Sequence, residues 1–193
     1  MDVAQPYRAM AYNNAWANNR LLTACLRLSA AEFAAPRTGF FPSLRATLNH
    51  ILVIVQFYLD ALEGGTTGLS ALGNPEPCAD AAALRSAQAA VDRRLIVLAE
   101  RLDAAALERV VLVHRGERAQ KERTDRLLLH LFQHQIHHRG QAHAMLSGTS
   151  VPPPQLDEFF SEEEWPLRAD ELVELGLSEQ AIWAGRPQTG GIG

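Results

Sequence analysis

The sequence has little cysteine and almost no lysine. Its two cysteines, Cys25 and Cys78, lie far apart and outside any C-x-x-C pair, which fits a reducing compartment and gives no zinc-thiolate signature. Lys121 is the only lysine among 18 basic residues, and the formal net charge is -4. Because no basic stripe is present to bind a phosphate backbone, we expect neither a disulfide nor a nucleic-acid partner.

Long apolar runs are also absent. The run 51–55 is far shorter than the ~20 residues that cross a bilayer, so no membrane span is expected. Asp2 makes the N-terminus acidic where a signal peptide would be basic, and no apolar segment follows it. We therefore expect a cytoplasmic protein. The 193 residues, 47% hydrophobic and without a block of like charge, are typical of a single folded domain over 1–193.

Helical periodicity dominates the chain and predicts four long helices. The first covers about 7–28, and the second runs from the N-cap Ser43 to about Leu62. The third is built on an apolar stripe between Leu84 and Leu102, and the fourth covers about 124–146. The second and third helices each have a predicted polar face. On the second helix this face consists of Arg45, Asn49, Gln56 and Asp60, and on the third helix it consists of Arg85, Asp92, Arg93 and Glu100.

Shorter segments complete the predicted organisation. The β-branched run 110–113 is expected to be a short extended segment or a hairpin arm. Short helices are expected near 161–165, 168–175 and 178–183, and the closing glycine-rich residues 190–193 should fray. The sequence therefore predicts the all-α class, as a four-helix bundle with short C-terminal helices.

Histidines are concentrated in the fourth predicted helix, where five of the seven lie between His130 and His143. At 100° per residue, His134 and His138 fall in the apolar stripe of this helix. His143 faces the other side, and His130 and His137 flank the stripe. Residues four apart on a helix are neighbours, so the two inward imidazoles can reach one metal ion.

A third ligand must come from another helix, and His50 of the second helix is the best candidate because it faces inward beside Ile54 and Phe57. His114 lies in a predicted loop and is the weaker candidate. A single H-x-x-x-H pair is more often buried and hydrogen-bonded than metal-binding. Three inward imidazoles favour a metal ion, because one ion satisfies three acceptor nitrogens at once. No H-E-x-x-H or E-x-x-H pattern is present, so one mononuclear ion is expected.

Several segments resemble the DinB family, the DinB/YfiT-like metalloenzymes. The string from Phe132 to Gln141, FQHQIHHRGQ, resembles the N-H-x-x-x-H-R-G-Q signature of the family's fourth helix. The segment 48–52, LNHIL, resembles its second-helix ligand motif, the segment 12–18 its first helix, and 153–160 the tail of one subgroup. Val55 and Gln133 depart from the Asp and Asn that are frequent there.

The resemblance implies a four-helix bundle, commonly a homodimer, with a divalent ion on His50, His134 and His138. It also implies a metal-dependent thiol S-transferase acting on a low-molecular-weight thiol and a small electrophile. A hydrolase is the second possible enzyme activity. The alternative to an enzyme is a non-catalytic, dimeric metal-binding or stress-related module.

Other details of the site stay open. Nitrogen ligands favour Zn²⁺ or Ni²⁺, with Fe²⁺ and Mn²⁺ left open. Arg139 and Gln141 are expected to make structural contacts more than catalytic ones. Tyr12, Asn14 and Trp16 are expected in the core, with a pocket beside the metal as the alternative.

Overall fold

A computed structural model describes residues 2–183, and these residues are mostly helical. The helices and strands, in chain order, are α1 Gln5–Cys25, α2 Ala30–Ala34, α3 Leu44–Leu62, α4 Ala81–Glu100, α5 Ala104–Glu108, β1 Val110–Arg115, β2 Arg118–Arg123, α6 Thr124–Leu146, α7 Ala169–Glu174 and α8 Glu179–Ile182. Three 3-10 turns, Gly68–Leu72, Glu158–Phe160 and Trp165–Arg168, lie between them. The predicted all-α class is confirmed.

Side-chain caps explain where most of these helices begin. Ser43 caps α3 by accepting a hydrogen bond from the backbone N–H of Ala46, as expected from the sequence. Asp80 caps α4 in the same way. Neither α2 nor α5 was predicted from the sequence, although Ser29 with Glu32 forms a capping box at α2 and Asp103 caps α5.

The four long helices pack against one another around one apolar core. The helix α1 contacts α4 and α6, and α3 contacts α4 and α6 as well. Trp16, Phe57, Leu95 and Leu128 are among the fully buried side chains. None of the helices within residues 2–183 is long and apolar enough to span a bilayer.

The predicted extended segment is one arm of an antiparallel β-hairpin, in which Arg115 lies opposite Arg118. Gly116 occupies the tight turn with a φ of 68°, a conformation that glycine adopts without strain. Val111 and Val113 face the core, whereas Val110 and Leu112 are exposed. The hairpin packs on α3 through β1.

Hydrogen bonds and an ion pair hold the segment 158–171 against α1. Glu171 accepts hydrogen bonds from Trp16 Nε1 at 2.7 Å and from Arg20 Nε at 2.8 Å. Arg20 also pairs with Glu158 at 2.5 Å. The predicted helix near 161–165 is wrong, because residues 161–164 are not helical and 3-10 turns lie on either side of them, at Glu158–Phe160 and Trp165–Arg168. The residues 190–193, which were expected to fray, lie outside the described residues.

Two side chains that the sequence assigned to polar faces are buried. Asn49 is fully buried, and its side-chain amide exchanges two hydrogen bonds of 2.9 Å with the backbone of Cys78, which ties α3 to the segment before α4. Asp92 on α4 is only 3% exposed. Both expectations were wrong because periodicity alone assigns a polar residue to solvent, whereas these two residues have partners inside the protein.

Asp92 belongs to a buried hydrogen-bond network that joins α1, α4 and α6. Asn14 and Asn18 each donate to its carboxylate, at 2.9 and 3.1 Å, and each accepts from Nη1 of Arg139, at 2.5 and 3.1 Å. Gln88 donates a further bond of 3.0 Å to Asp92. The two asparagines therefore lie between a buried anion and a buried cation and satisfy both of them.

Burial shifts the pKa values of both charged groups towards the neutral forms. It raises the pKa of Asp92 to about 7, against the hydrogen bonds of the three amides and the charge of Arg139. It lowers the pKa of Arg139 to about 10, against the charge of Asp92. Each charge is therefore costly to leave alone in the core.

Replacement of Arg139 by Met should destabilise the protein by about 3–5 kcal/mol, because Asp92 then remains buried without its cation. The double variant Asp92→Asn/Arg139→Met should recover part of this loss, since neither charge remains. The exposed Arg93, changed to Met, serves as the control and should alter stability by less than about 0.5 kcal/mol. Urea unfolding at pH 7 measures all three, and equal stability of Arg139→Met and the control would contradict the assignment.

Candidate metal centre

The structure brings His50, His134 and His138 together at the interface between α3 and α6. Their ligand atoms all lie within 4.8 Å of one another. The Nε2 atoms of His50 and His134 are 3.0 Å apart. The ring of His138 lies 4.6 Å from that of His50 and 4.4 Å from that of His134, measured between centroids. Three imidazoles from two helices thus converge on one point.

The register of the two helices is fixed beside this group. Gln135, which is fully buried, donates from its side-chain amide to the carbonyl of Ile51 at 3.2 Å. These two residues directly follow His134 and His50 in the chain. A shift of one helix along the other would both break this bond and separate the histidines, since one helical turn is about 5.4 Å long.

Desolvation keeps the imidazoles neutral. Burial, with the charge of His138, lowers the pKa of His50 to about 4. Burial, with the charges of neighbouring histidines, lowers the pKa of His134 to about 3. The pKa of His138 is also lowered, mainly by burial and against the hydrogen bond that it donates to Gln141. Neutral imidazole is the form that coordinates a metal ion.

Gln141 orients His138. The Nδ1–H of His138 donates to Oε1 of Gln141 at 2.8 Å, which leaves Nε2 of His138 free to face the other two rings. The amide of Gln141 in turn donates to Nε2 of His137 at 3.1 Å. A hydrogen bond from the outer nitrogen of an imidazole fixes the tautomer of a metal ligand.

Phe41 covers one side of the group. Its ring centroid lies 4.3 Å from that of His50 and 5.6 Å from that of His138. Phe40 packs edge-on against Phe41 but is 77% exposed. Gly39 lies close to α6, where an added Cβ would meet the terminal methyl group of Met145.

Phe41 was not among the site residues predicted from the sequence. The aromatic pair 40–41 just before the N-cap of α3 was the available signal, although nothing in the sequence indicated towards which histidines it would fold. The remaining residues that the sequence singled out lie elsewhere. His114 is on β1, and His143 contacts the carbonyl of Pro154 at 2.9 Å. Tyr12, Asn14 and Trp16 are core residues, as the main expectation had it.

The donor set fits a divalent ion of the first transition series. Metal–nitrogen bonds of ~2.0–2.1 Å place two nitrogens of a tetrahedral site about 3.3 Å apart, close to the separation of the His50 and His134 Nε2 atoms. Nδ1 of His134 is buried and has no hydrogen-bond partner, so the outer nitrogen of this imidazole lacks the acceptor that Gln141 gives to His138.

The fold and the three neutral imidazoles define a helical protein with a candidate mononuclear metal centre. The model of the DinB family matches residues 3–170, and the chain belongs to this family, as the motifs had indicated. A crystal structure of a DinB-like protein from Bacillus cereus has a similar fold, with a TM-score of 0.59 and 14% identity over 75% of this chain and 91% of that chain. No curated protein matches the sequence.

Removal of the Gln141 carbonyl should weaken metal binding without removing a ligand. In Gln141→Leu the imidazole of His138 loses the acceptor that orients it, and we expect the affinity for Zn²⁺ to fall about 10- to 100-fold. The matched control is Gln133→Leu, an exposed position on the same helix. Competition with a chromogenic chelator measures both affinities. Equal affinities in the two variants would contradict the role of Gln141.

The lowered pKa values of His50 and His134 predict that the metal-free protein loses stability in acid. An imidazole in the unfolded chain titrates near ~6.5, whereas these two titrate at about 4 and about 3 when folded. Between those values the unfolded chain binds more protons, so their contribution is complete above about pH 6.5 and is lost as the pH falls towards 4.

Urea unfolding of chelator-treated protein at pH 7.5 and 4.5 tests this linkage. The double variant His50→Gln/His134→Gln should lose less unfolding free energy over this interval than the unaltered protein. An identical decrease in both proteins would show that other groups cause the acid sensitivity.

Proposed function

We propose that the chain binds one divalent metal ion, Zn²⁺ or Ni²⁺ in preference to Fe²⁺ or Mn²⁺, through His50, His134 and His138, and uses it in a thiol S-transfer reaction. The observation that carries the proposal is the convergence of three neutral imidazoles from α3 and α6 on one point. Within residues 2–183 this group has three members and no carboxylate or thiolate among them. Coordination positions on an ion held there stay open to a small molecule.

Neutral ligands suit this chemistry because they leave the full charge of the ion in place. A divalent ion bound there supplies Lewis acidity that ionises a thiol or a water near neutral pH. Residues of the protein would orient the imidazole ligands and limit the access of water. Gln141 holds the ring of His138 in one orientation, and Phe41 limits the access of water to the rings of His50 and His138.

A low-molecular-weight thiol and a small electrophile are the reactants that this arrangement favours. The thiol releases its proton to solvent, its sulfur forms a bond to the electrophilic carbon, and the leaving group departs with the electron pair of the broken bond. Hydrolysis is the neighbouring reaction, in which water replaces the thiol. The transfer reaction is preferred because no carboxylate belongs to the group of ligand atoms, and a thiol needs less help than water to ionise.

The rival proposal is a non-catalytic, dimeric metal-binding module. It is supported by two exposed apolar residues on the outer side of α6, Leu129 and Ile136, which are 57% and 46% exposed. Seven residues apart, they lie on one face of the helix and suit the packing of a second copy.

Elemental analysis of protein purified without an affinity tag tests the metal site. We expect about one equivalent of metal in the unaltered protein and a loss of most of it in His138→Ala, since two imidazoles hold an ion far less tightly than three. The control His143→Ala changes a histidine on the same helix that is not in the group and should keep its metal. Unchanged metal content in His138→Ala would remove the ligand assignment.

Activity separates the enzyme from the rival module. The reaction of a small thiol with an alkylating electrophile should depend on added Zn²⁺ or Ni²⁺ and should be lost in His138→Ala. A protein that binds metal, forms a dimer in light-scattering measurements and never accelerates the reaction of any thiol tested would favour the module.

A further inference from the structure

A polar cavity of about 250 Å³ lies between the β-hairpin and the α3–α6 pair. Its wall on the helix side is formed by Tyr58 and His130, whose hydroxyl and Nε2 atoms are 3.1 Å apart. The ring of His130 lies 6.3 Å from that of His134. The contact between Tyr58 and His130 therefore lies next to the contact between His50 and His134 on the interface of α3 and α6. The cavity thus adjoins the candidate metal centre.

The cavity has an excess of positive charge, in a protein whose net charge is negative. Arg115 of β1 and Arg126 of α6 line it, together with a single acidic residue, Glu122 of β2. Glu122 accepts a hydrogen bond from Gln120. Among the described residues, neither arginine forms an ion pair. The charge of Arg126 also acts on the adjacent Asp125, whereas Arg115 has only neutral hydrogen-bond partners, so Arg115 is the better placed of the two to bind an anion.

Arg115 is already held in place by neutral groups. Its Nε donates to Oε1 of Gln120 at 3.0 Å, and its Nη2 donates to the hydroxyl of Tyr58 at 3.3 Å. The guanidinium also lies 5.3 Å over the ring of Phe57. These bonds use the side of the guanidinium formed by Nε and Nη2, and they leave the end formed by Nη1 and Nη2 available. Two parallel N–H groups at that end match the two oxygens of a carboxylate.

We propose that this cavity binds a carboxylate group of a small organic molecule through Arg115, with Arg126 adding charge and Tyr58 holding the guanidinium in position. The volume is below the ~300–1,000 Å³ of pockets for drug-sized ligands, so it suits a short acid or the acidic end of a longer molecule. The further step, that this molecule is the electrophilic substrate whose other end reaches the metal centre, rests on the proposed function. The carboxylate site itself does not.

Calorimetric titration with succinate tests the site. Metal-loaded protein should bind succinate, and should bind the uncharged succinamide at least about tenfold more weakly, since a charge-assisted pair is lost. Arg115→Gln should weaken the binding of succinate by at least about tenfold and leave the metal content unchanged. Arg118→Gln is the matched control, because it removes the same charge from the same hairpin at a position outside the cavity lining.

Three results would overturn the proposal. These are no binding of succinate to the unaltered protein, equal losses in Arg115→Gln and Arg118→Gln, and inorganic phosphate binding as tightly as succinate, which would indicate a site for anions in general. Should Arg115→Gln fail to fold, as judged by its thermal unfolding, Arg126→Gln is measured in its place and should weaken succinate binding as well.

The metal-free variant His138→Ala separates this proposal from the proposed function. We expect it to bind succinate, and the binding should still be weakened when Arg115→Gln is added. If the unaltered protein binds succinate through Arg115 but holds no metal, the proposed function fails and the carboxylate site stands. If succinate binding disappears together with the metal, the carboxylate binds to the ion, and the site at Arg115 is refuted.

Discussion

The buried hydrogen bond between Gln135 and the carbonyl of Ile51 sets the relative position of the two helices that carry the three histidines. A polar amide in a dry interface is costly unless it has a partner. Nε2 of Gln135 has this partner at the observed axial position of α6 against α3, although Oε1 of the same amide is buried without one, and the same position brings His50 opposite His134. The apolar contacts between these helices are less selective, because leucine packs against many neighbours. The amide therefore contributes to the register of the interface, and the convergence of the three histidines depends on that register.

Rotation of α6 about its own axis is set by a different group. Arg139 directly follows His138, and consecutive helical residues point about 100° apart. While His138 faces α3, the guanidinium of Arg139 reaches Asn14 and Asn18 of α1. Through these amides it faces Asp92 of α4. Asp92, the two amides and Arg139 satisfy one another at the observed rotation of α6, so this hydrogen-bond network complements the bond between Gln135 and Ile51. Together the two polar contacts restrict both movements that would separate the histidines.

The sequence was sufficient to identify the long helices and the inward face of α6, because both depend on local periodicity. It also placed His50 on the face where the structure has it. It failed where a polar residue has its partner far away in the chain. Asn49 and Asp92 look like solvent-facing positions until the backbone of Cys78 and the side chains of α1 are known to lie beside them. Neither Phe41 nor the hairpin cavity could be deduced, since each depends on how a loop or hairpin returns to the helices.

The division between helices and connections has a chemical consequence for the site. The three histidines and the contacts that hold them belong to α3 and α6, where a change disturbs the packing of the bundle. Phe41 precedes α3, and Arg115 lies beside the turn of a hairpin. Residues in such connections can change with little effect on the core. The ion's reactivity would thus be determined by the rigid helices, whereas the shape and charge of the accepted molecule would be determined by two peripheral segments on either side of it.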